Sequence, residues 1–72
     1  MPYVNIHIVK DVLGQDAEAK KVEISRRIVE VISEAANITP ENVWVTFRDI
    51  PNTEWYVGFK RVDQIWKENG RQ

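Results

Sequence analysis

Cysteine is absent from this 72-residue sequence, and histidine occurs only once, as His7. Without cysteine the chain has neither a disulfide framework nor a thiolate metal site. One histidine among scattered carboxylates does not match the ligand spacing of a zinc site either. A chain of this length buries only about 60% of its unfolded surface. Since no disulfide or metal site is expected, we expect oligomerisation to supply the missing stability.

The sequence also lacks a clear excess of one sign of charge and any long apolar run. Ten basic residues stand against eleven acidic residues, which argues against electrostatic binding of nucleic acid. The longest apolar runs are far too short to span a membrane. A strand-like segment follows Met1 almost at once, so we expect no secretory signal and a cytoplasmic protein. No linker or repeat divides the chain, so we expect one domain over residues 1–72, with a core at 2–59 and a C-terminal tail at 60–72.

Two alternating segments enclose one amphipathic segment. Residues 3–10 are rich in β-branched side chains and place Val4, Ile6 and Ile8 on one face, which predicts a strand. Between the alternating segments, apolar side chains recur at spacings of three and four. This pattern predicts a helix of about five turns that Asp16 caps and Asn37 ends. The members of the helix stripe are Ala17, Lys20 or Lys21, Ile24, Ile28, Val31 or Ile32, and Ala35.

The second alternating segment, residues 43–48, predicts a strand with an apolar face and a mixed face. Val43, Val45 and Phe47 can pack on the helix stripe. The mixed face consists of the other three residues of this segment, Trp44, Thr46 and Arg48. Before it, Thr39-Pro40-Glu41 predicts a short helical turn with proline at its first position.

Strand, helix and strand define a βαβ unit of the α+β class, with two parallel strands joined by a right-handed crossover. After it we expect a short C-terminal hairpin arm at residues 55–59 and one or two helical turns at 63–69, which Gly70 ends. One helix covers only one face of a two-stranded sheet. The face that carries Trp44 is left uncovered, so we expect another subunit to cover it.

Pro2 directly follows Met1 and opens the first predicted strand. If Met1 is removed, Pro2 becomes a free secondary amine, which can act as a base or nucleophile without a cofactor.

The chain resembles the tautomerase superfamily, in particular its short 4-oxalocrotonate tautomerase-like branch. The resemblance covers residues 2–59 and rests on the order and spacing of four segments. They are Pro2 with Asn5-Ile6-His7-Ile8, the single long helix, Thr39-Pro40-Glu41-Asn42-Val43-Trp44-Val45, and Trp55-Tyr56-Val57-Gly58.

The resemblance implies a cofactor-free tautomerase or isomerase that interconverts the enol and keto forms of a small 2-oxo acid. In this superfamily two βαβ protomers form a four-stranded dimer, and dimers assemble around a three-fold or pseudo-three-fold axis, commonly as hexamers. The amino-terminal proline lies in an apolar pocket at a subunit boundary and acts as a general base. Pro2 is therefore the expected base. The expected partners are an enol or keto acid and further copies of the chain, with no nucleic acid and no membrane.

The wall of the expected pocket is apolar. Burial among apolar side chains disfavours the charged form of an amine and so favours the base. Val9, Trp44 and Trp55 are expected to form this wall, and Trp55 occupies the position of an aromatic lining residue in the family. The best-studied relatives grip the substrate carboxylate with two arginines, one after the first strand and one near the start of the second. Here the loop at residues 12–16 has no arginine, and the second position holds Trp44.

Arg48 is the expected replacement for these arginines. Strand alternation puts it on the same face as Trp44, and a guanidinium binds a carboxylate through two hydrogen bonds. An exposed strand-end arginine that pairs with Asp49 or Glu54 is an equally open interpretation.

The other polar residues of the first strand are expected to have structural roles. His7 faces away from Ile6 and Ile8, which favours a hydrogen-bonded position on the sheet. Tyr3 and Asn5 are expected at a subunit interface.

Two alternative functions stay open. If Met1 is retained, the Pro2 nitrogen lies in an amide bond, and the chain would be a non-catalytic subunit of an oligomer. The loss of both family arginines is compatible with this alternative. Other relatives use the protonated amine as an acid in hydration, dehalogenation or decarboxylation, and Asp49 or Glu54 would then activate water.

Overall fold

The structure is a computed structural model that describes residues 2–70. Its sheet and helices confirm the predicted α+β unit of strand, long helix and strand. Short 3-10 turns and a small hairpin complete the chain. In order, the elements are β1 (Tyr3–Val9), a 3-10 turn (Lys10–Val12), α1 (Ala17–Ala36), a 3-10 turn (Pro40–Asn42), β2 (Trp44–Ile50), a 3-10 turn (Asn52–Glu54), β3 (Tyr56–Val57), β4 (Lys60–Arg61) and α2 (Val62–Glu68).

The β1 and β2 strands pair in parallel, with a register that runs from Tyr3 beside Trp44 to Val9 beside Ile50. Burial alternates along residues 3–8 of β1 and 44–48 of β2, as the sequence pattern predicts, and departs from alternation at the end of each strand. The half-buried face, which includes Phe47, lies against α1, because Lys21 of the helix lies 5.7 Å from the centre of the Phe47 ring. The opposite face is exposed.

The α1 helix begins and ends in left-handed residues. Asp16 has φ 58° and its side chain caps no backbone N–H, so the prediction that this carboxylate caps the helix is wrong. A capping side chain reaches the first N–H groups from an extended residue, whereas Asp16 is left-handed. At the other end Asn37 has φ 57° and its N–H donates to the Ser33 carbonyl. This is the expected helix stop.

The stripe of α1 that faces the sheet is only half-buried and is narrower than predicted. Lys21 and Ile32 are half-buried, whereas their alternatives Lys20 and Val31 are exposed, and so is Ala35. The Lys21 ammonium lies 2.8 Å from an oxygen of Asp49 at the end of β2. This ion pair ties the helix to the sheet beside the ring of Phe47.

The C-terminal segment folds back as a hairpin and a helix. The antiparallel strands β3 and β4 are joined by Gly58 and Phe59. Gly58 has φ 63° and Phe59 does not have a positive φ, as a type II′ turn requires. The predicted arm is present, and Gly70, whose N–H donates to the Lys67 carbonyl, follows α2 as expected.

Few side chains are buried in the described part of the chain. One ends β1, one lies in the loop that follows β1, one directly precedes β2, and the fourth begins α2. They are Val9, Leu13, Val43 and Val62, each 6–8% exposed. The Val62 N–H donates to the carbonyl of Trp55 at 2.8 Å, which joins α2 to the segment before the hairpin. The core is therefore small, and its most buried member lies in the segment that the sequence sets apart as a tail.

Candidate active site

Pro2 is held at one end of the sheet. The Trp44 N–H donates to the Pro2 carbonyl at 3.0 Å, which extends the strand pairing one residue beyond Tyr3. Proline has no N–H to donate to a ladder, but this position uses only its carbonyl. The bond therefore fixes Pro2 beside the first residue of β2.

An open cavity of about 460 Å³ lies around Pro2 and is lined by Tyr3, Trp44 and Thr46. This volume lies in the range of small-molecule sites, about 300–1,000 Å³. Tyr3 and Trp44 are register partners on the exposed face of the sheet, 60% and 55% exposed. Two flat rings beside a proline give a wall that suits a planar ligand.

Four polar side chains form a chain of hydrogen bonds on this face. The Tyr3 hydroxyl lies 3.0 Å from Thr46 Oγ1, and Thr46 Oγ1 donates to Asn5 Oδ1 at 3.1 Å. Asn5 Nδ2 lies 3.2 Å from His7 Nε2. His7 is thus a hydrogen-bonded sheet residue, as expected, and the chain connects it to the cavity.

Arg48 does not reach this cavity in its own chain. It pairs in register with His7, four residues along β2 from Trp44. At about 3.3 Å per residue, this spacing corresponds to about 13 Å along the strand. The neighbouring Asp49 carboxylate contacts Lys21 rather than Arg48. A substrate carboxylate beside Pro2 therefore meets no cation among the cavity-lining residues of the same chain.

Val9 and Trp55 also lie outside the cavity of their own chain. Val9 is at the far end of β1, about 23 Å along an extended strand from Pro2, and is 7% exposed. Its burial breaks the predicted alternation, because the strand ends there and turns into the 3-10 segment Lys10–Val12. Trp55 is half-buried before the hairpin, where its carbonyl accepts the Val62 N–H. That Val9 and Trp55 form the apolar wall of a pocket completed by another chain stays a prediction.

Tyr3 and Thr46 are lining residues that the sequence analysis did not assign to the site. Tyr3 directly follows Pro2, and Thr46 is two residues after Trp44, hence on the same strand face. The register of a parallel pair brings them together. The sequence does offer one indication, because Tyr3 and Thr46 lie one and two positions from the predicted site residues Pro2 and Trp44.

The carboxyl groups whose pKa is lowered lie away from the cavity. Hydrogen bonds from Arg26, and then from Arg27, hold the pKa of the Glu23 carboxyl at about 2, on the surface of α1. Arg61 lowers the pKa of the Asp63 carboxyl at the start of α2 through a hydrogen bond. Neither carboxylate lines the cavity around Pro2.

The described residues offer neither a membrane-spanning helix nor a cluster of metal ligands. No helix within residues 2–70 is long and apolar enough to cross a membrane. The same residues contain no group of three or more histidine and carboxylate side chains placed to hold a metal ion.

The family model described as Tautomerase enzyme matches residues 2–64. This match covers most of the chain, so the protein belongs to the tautomerase family. The predicted resemblance to the 4-oxalocrotonate tautomerase-like branch is thereby confirmed, together with the similarity to solved structures of that branch.

The solved structures share the fold. A chain from the 4-oxalocrotonate tautomerase isozymes of Methylibium petroleiphilum is 25% identical, with a TM-score of 0.72 over 89% of this chain and 97% of that one. A 4-oxalocrotonate tautomerase homologue is 24% identical, with a TM-score of 0.72 over 88% and 94%. DmpI from Helicobacter pylori is 17% identical, with a TM-score of 0.73 over 88% and 98%. A search of curated proteins finds no match.

Proposed function

We propose that this protein is a cofactor-free tautomerase that interconverts the enol and keto forms of a small 2-oxo acid. Pro2 is its general base once Met1 has been removed. The observation that carries the proposal is the position of Pro2 at an open cavity lined by two aromatic rings. Membership of the tautomerase family supports it.

The chemistry needs only a proton carrier. The neutral amine of Pro2 accepts the proton of the enol hydroxyl, and the O–H bond breaks as the C=O bond forms. The same ammonium then gives its proton to the neighbouring carbon, where the former C=C electron pair forms a C–H bond. Atoms and charges balance, and the amine is regenerated. A positioned general base contributes about 10²–10⁴-fold to such a reaction.

The lining favours a flat substrate over a dicarboxylate. Tyr3 and Trp44 present two ring systems, and the residues around Pro2 include no arginine or lysine. A phenylenolpyruvate-type acid places an aromatic ring where the rings can stack. A second carboxylate would have no cationic partner in the cavity of the same chain.

The proposal includes completion of the site by neighbouring copies, in a hexamer built as a trimer of dimers. In the described chain β1 and β2 form a sheet of two strands with both outer edges unpaired, and such edges invite pairing with another chain. Antiparallel pairing of two sheets places the far end of one beside the Pro2 end of the other. Arg48, Val9 and Trp55 would then contribute to the cavity of a neighbouring chain.

Intact mass of protein from its native host is the first measurement, because only a mass without Met1 leaves the amine free. Ketonisation of phenylenolpyruvate is then compared between wild type, Pro2→Ala and Pro51→Ala. Pro51 precedes a surface 3-10 turn and serves as the matched control. We expect at least about a 10²-fold loss for Pro2→Ala only. Unchanged turnover in Pro2→Ala would overturn the proposal.

A mixing experiment tests whether Arg48 acts from a neighbouring chain. Pro2→Ala and Arg48→Ala chains are unfolded together, refolded and assayed. If the two residues act from different chains, some mixed sites hold both an intact Pro2 and an intact Arg48, so activity returns. Failure of the mixture to exceed the sum of the separate variants would contradict an intersubunit role for Arg48.

One observation favours a second candidate, a non-catalytic tautomerase-like subunit. The cavity residues include no cation to hold a substrate carboxylate. A native mass that retains Met1, together with no turnover of enol acids, would support this candidate. Hydration, dehalogenation and decarboxylation are less supported, because water activation needs a carboxylate and none lines the cavity.

A further inference from the structure

Apart from Pro2, the residues that line the cavity offer only neutral side-chain hydrogen-bond donors. Its polar side-chain groups are the Tyr3 and Thr46 hydroxyls and the indole N–H of Trp44. As an enol acid loses or gains a proton at carbon, negative charge develops on its oxygen. A donor aimed at that oxygen is among the largest contributions to catalysis of this kind. Among the cavity-lining side chains of the same chain, only these three groups can supply such a donor.

The direction of the hydrogen bonds singles out Tyr3. Thr46 donates its single hydroxyl proton to Asn5 Oδ1, which can only accept. Thr46 therefore accepts from the Tyr3 hydroxyl, which lies 3.0 Å away. The hydroxyl proton of Tyr3 is therefore donated only to another hydroxyl, which is a weak acceptor. It can turn to a more basic acceptor that enters the cavity.

The base and the phenol belong to neighbouring residues at one end of the sheet, and both residues line the cavity. Tyr3 follows Pro2 in the chain and pairs in register with Trp44, and the Trp44 N–H fixes Pro2 through its carbonyl. Base and phenol are therefore carried by adjacent residues of one strand end. The chain of Thr46, Asn5 and His7 side chains restrains the phenol from the other side.

We propose that the Tyr3 hydroxyl is the hydrogen-bond donor that polarises the substrate oxygen during tautomerisation, and that Thr46 is its positioning residue. The inference rests on the proposed tautomerase function and names a donor to the substrate oxygen within the same chain. Tyr3 donates a hydrogen bond and keeps its proton. When the substrate oxygen arrives, the Tyr3 O–H turns toward it and Thr46 Oγ1 can donate to the phenol oxygen instead of to Asn5.

The test compares Tyr3→Phe with Tyr56→Phe in protein whose intact mass lacks Met1. Tyr56 lies on the hairpin and is 63% exposed, close to the 60% of Tyr3, so both variants remove one exposed phenol hydroxyl. We expect kcat for phenylenolpyruvate to fall about 10²-fold in Tyr3→Phe, with little change in KM and none in Tyr56→Phe. An unchanged kcat in Tyr3→Phe overturns the proposal and leaves the tautomerase function standing.

Thr46 is tested by its conservative variant. Thr46→Val removes the hydroxyl and keeps the branched shape, and we expect kcat to fall several-fold, with KM nearly constant. Thr46→Ser restores the hydroxyl and is expected to recover most of kcat. A merely structural role predicts the reverse, because serine loses the methyl group that valine retains. That reversed order would overturn the positioning role.

A measurement that needs no turnover separates failure of this inference from failure of the tautomerase function. Phenylpyruvate labelled with ¹³C at its keto carbon is bound to wild type and to Tyr3→Phe, and its carbonyl stretch is recorded by infrared difference spectroscopy. We expect a lower frequency in wild type than in Tyr3→Phe. If wild type is inactive but shows this shift, the tautomerase function falls, and Tyr3 is the donor to a bound keto oxygen without a catalytic role. If wild type shows no binding or no shift, the donor assignment is overturned.

Discussion

Replacement of Val62 by alanine should destabilise the chain far more than the same replacement at Val31. Val62 is 6% exposed and Val31 is 64% exposed, and both are helical. Two methyl groups at about 0.8 kcal/mol each, with a cavity that closes only in part, give a cost of about 2 kcal/mol at the buried site. The exposed site loses little burial and gains helix propensity, so its stability should rise by about 0.5 kcal/mol.

Thermal unfolding followed by circular dichroism measures this difference. For a domain of this size each kcal/mol shifts Tm by roughly 4–8 °C, so Val62→Ala should melt roughly 8–16 °C below wild type. Val31→Ala should melt at or slightly above the wild-type temperature. All samples need the same protein concentration, because self-association makes Tm depend on concentration. Equal melting of the two variants would refute the assignment of Val62 to the core and with it the structural role of α2.

Two further predictions concern charge and backbone. Arg26 and Arg27 lower the pKa of the Glu23 carboxyl from 4.5 to about 2. The stability that these ion pairs contribute is therefore present above about pH 4.5 and is lost as the pH falls toward 2. Glu23→Gln should remove this part of the pH dependence of stability. A carboxyl NMR titration of Glu23 at its ordinary value would contradict the assignment. Gly58→Ala should destabilise the hairpin by about 1 kcal/mol. This cost comes from φ strain alone, because nothing lies within 4 Å of the added Cβ. Phe59→Ala keeps the glycine and serves as the control, and unchanged hydrogen exchange of the hairpin in Gly58→Ala would contradict a type II′ turn.

The sequence predicts the central elements well because their periodicity leaves little choice. Ile24, Ile28 and Ile32 repeat at the spacing of one helix face, and all three are half-buried in α1. Val45 and Phe47 alternate as a strand must and lie on the helix side of β2. In each case burial of an apolar face is a strong driving force that acts over many residues, so local pattern and final structure agree.

Ends and single residues were harder to predict, because they depend on the chain beyond the repeating pattern. Asp16 has the right side chain for a cap, but the preceding loop delivers it in a left-handed conformation. Val9 alternates onto the open face in the sequence pattern, yet the turn that follows buries it. Val62 carries no periodic signal of its own, and only the folding back of the hairpin brings it into contact with the segment before β3.

The candidate site was predicted in part. Pro2 and Trp44 could be named from the family pattern, and the strand pairing brings them together. Tyr3 and Thr46 are near Pro2 and Trp44 in the sequence, but that the two meet depends on the register between distant strands, which composition and periodicity do not encode. Arg48 shares a face with Trp44 as predicted, but a shared face says nothing about the distance along the strand.

The parallel pairing also determines when the site can form. Asn5 and Thr46 are register partners 41 positions apart, so a long loop must close before β1 gains any ladder bond. At about 5–20 residues per second of synthesis, Pro2 waits about 2–8 s for Trp44 to be made. Until then Pro2 and the rest of β1 have no strand partner within their own chain. The hydrogen bond from Trp44 that fixes Pro2 can therefore form only after the whole of α1 has been synthesised.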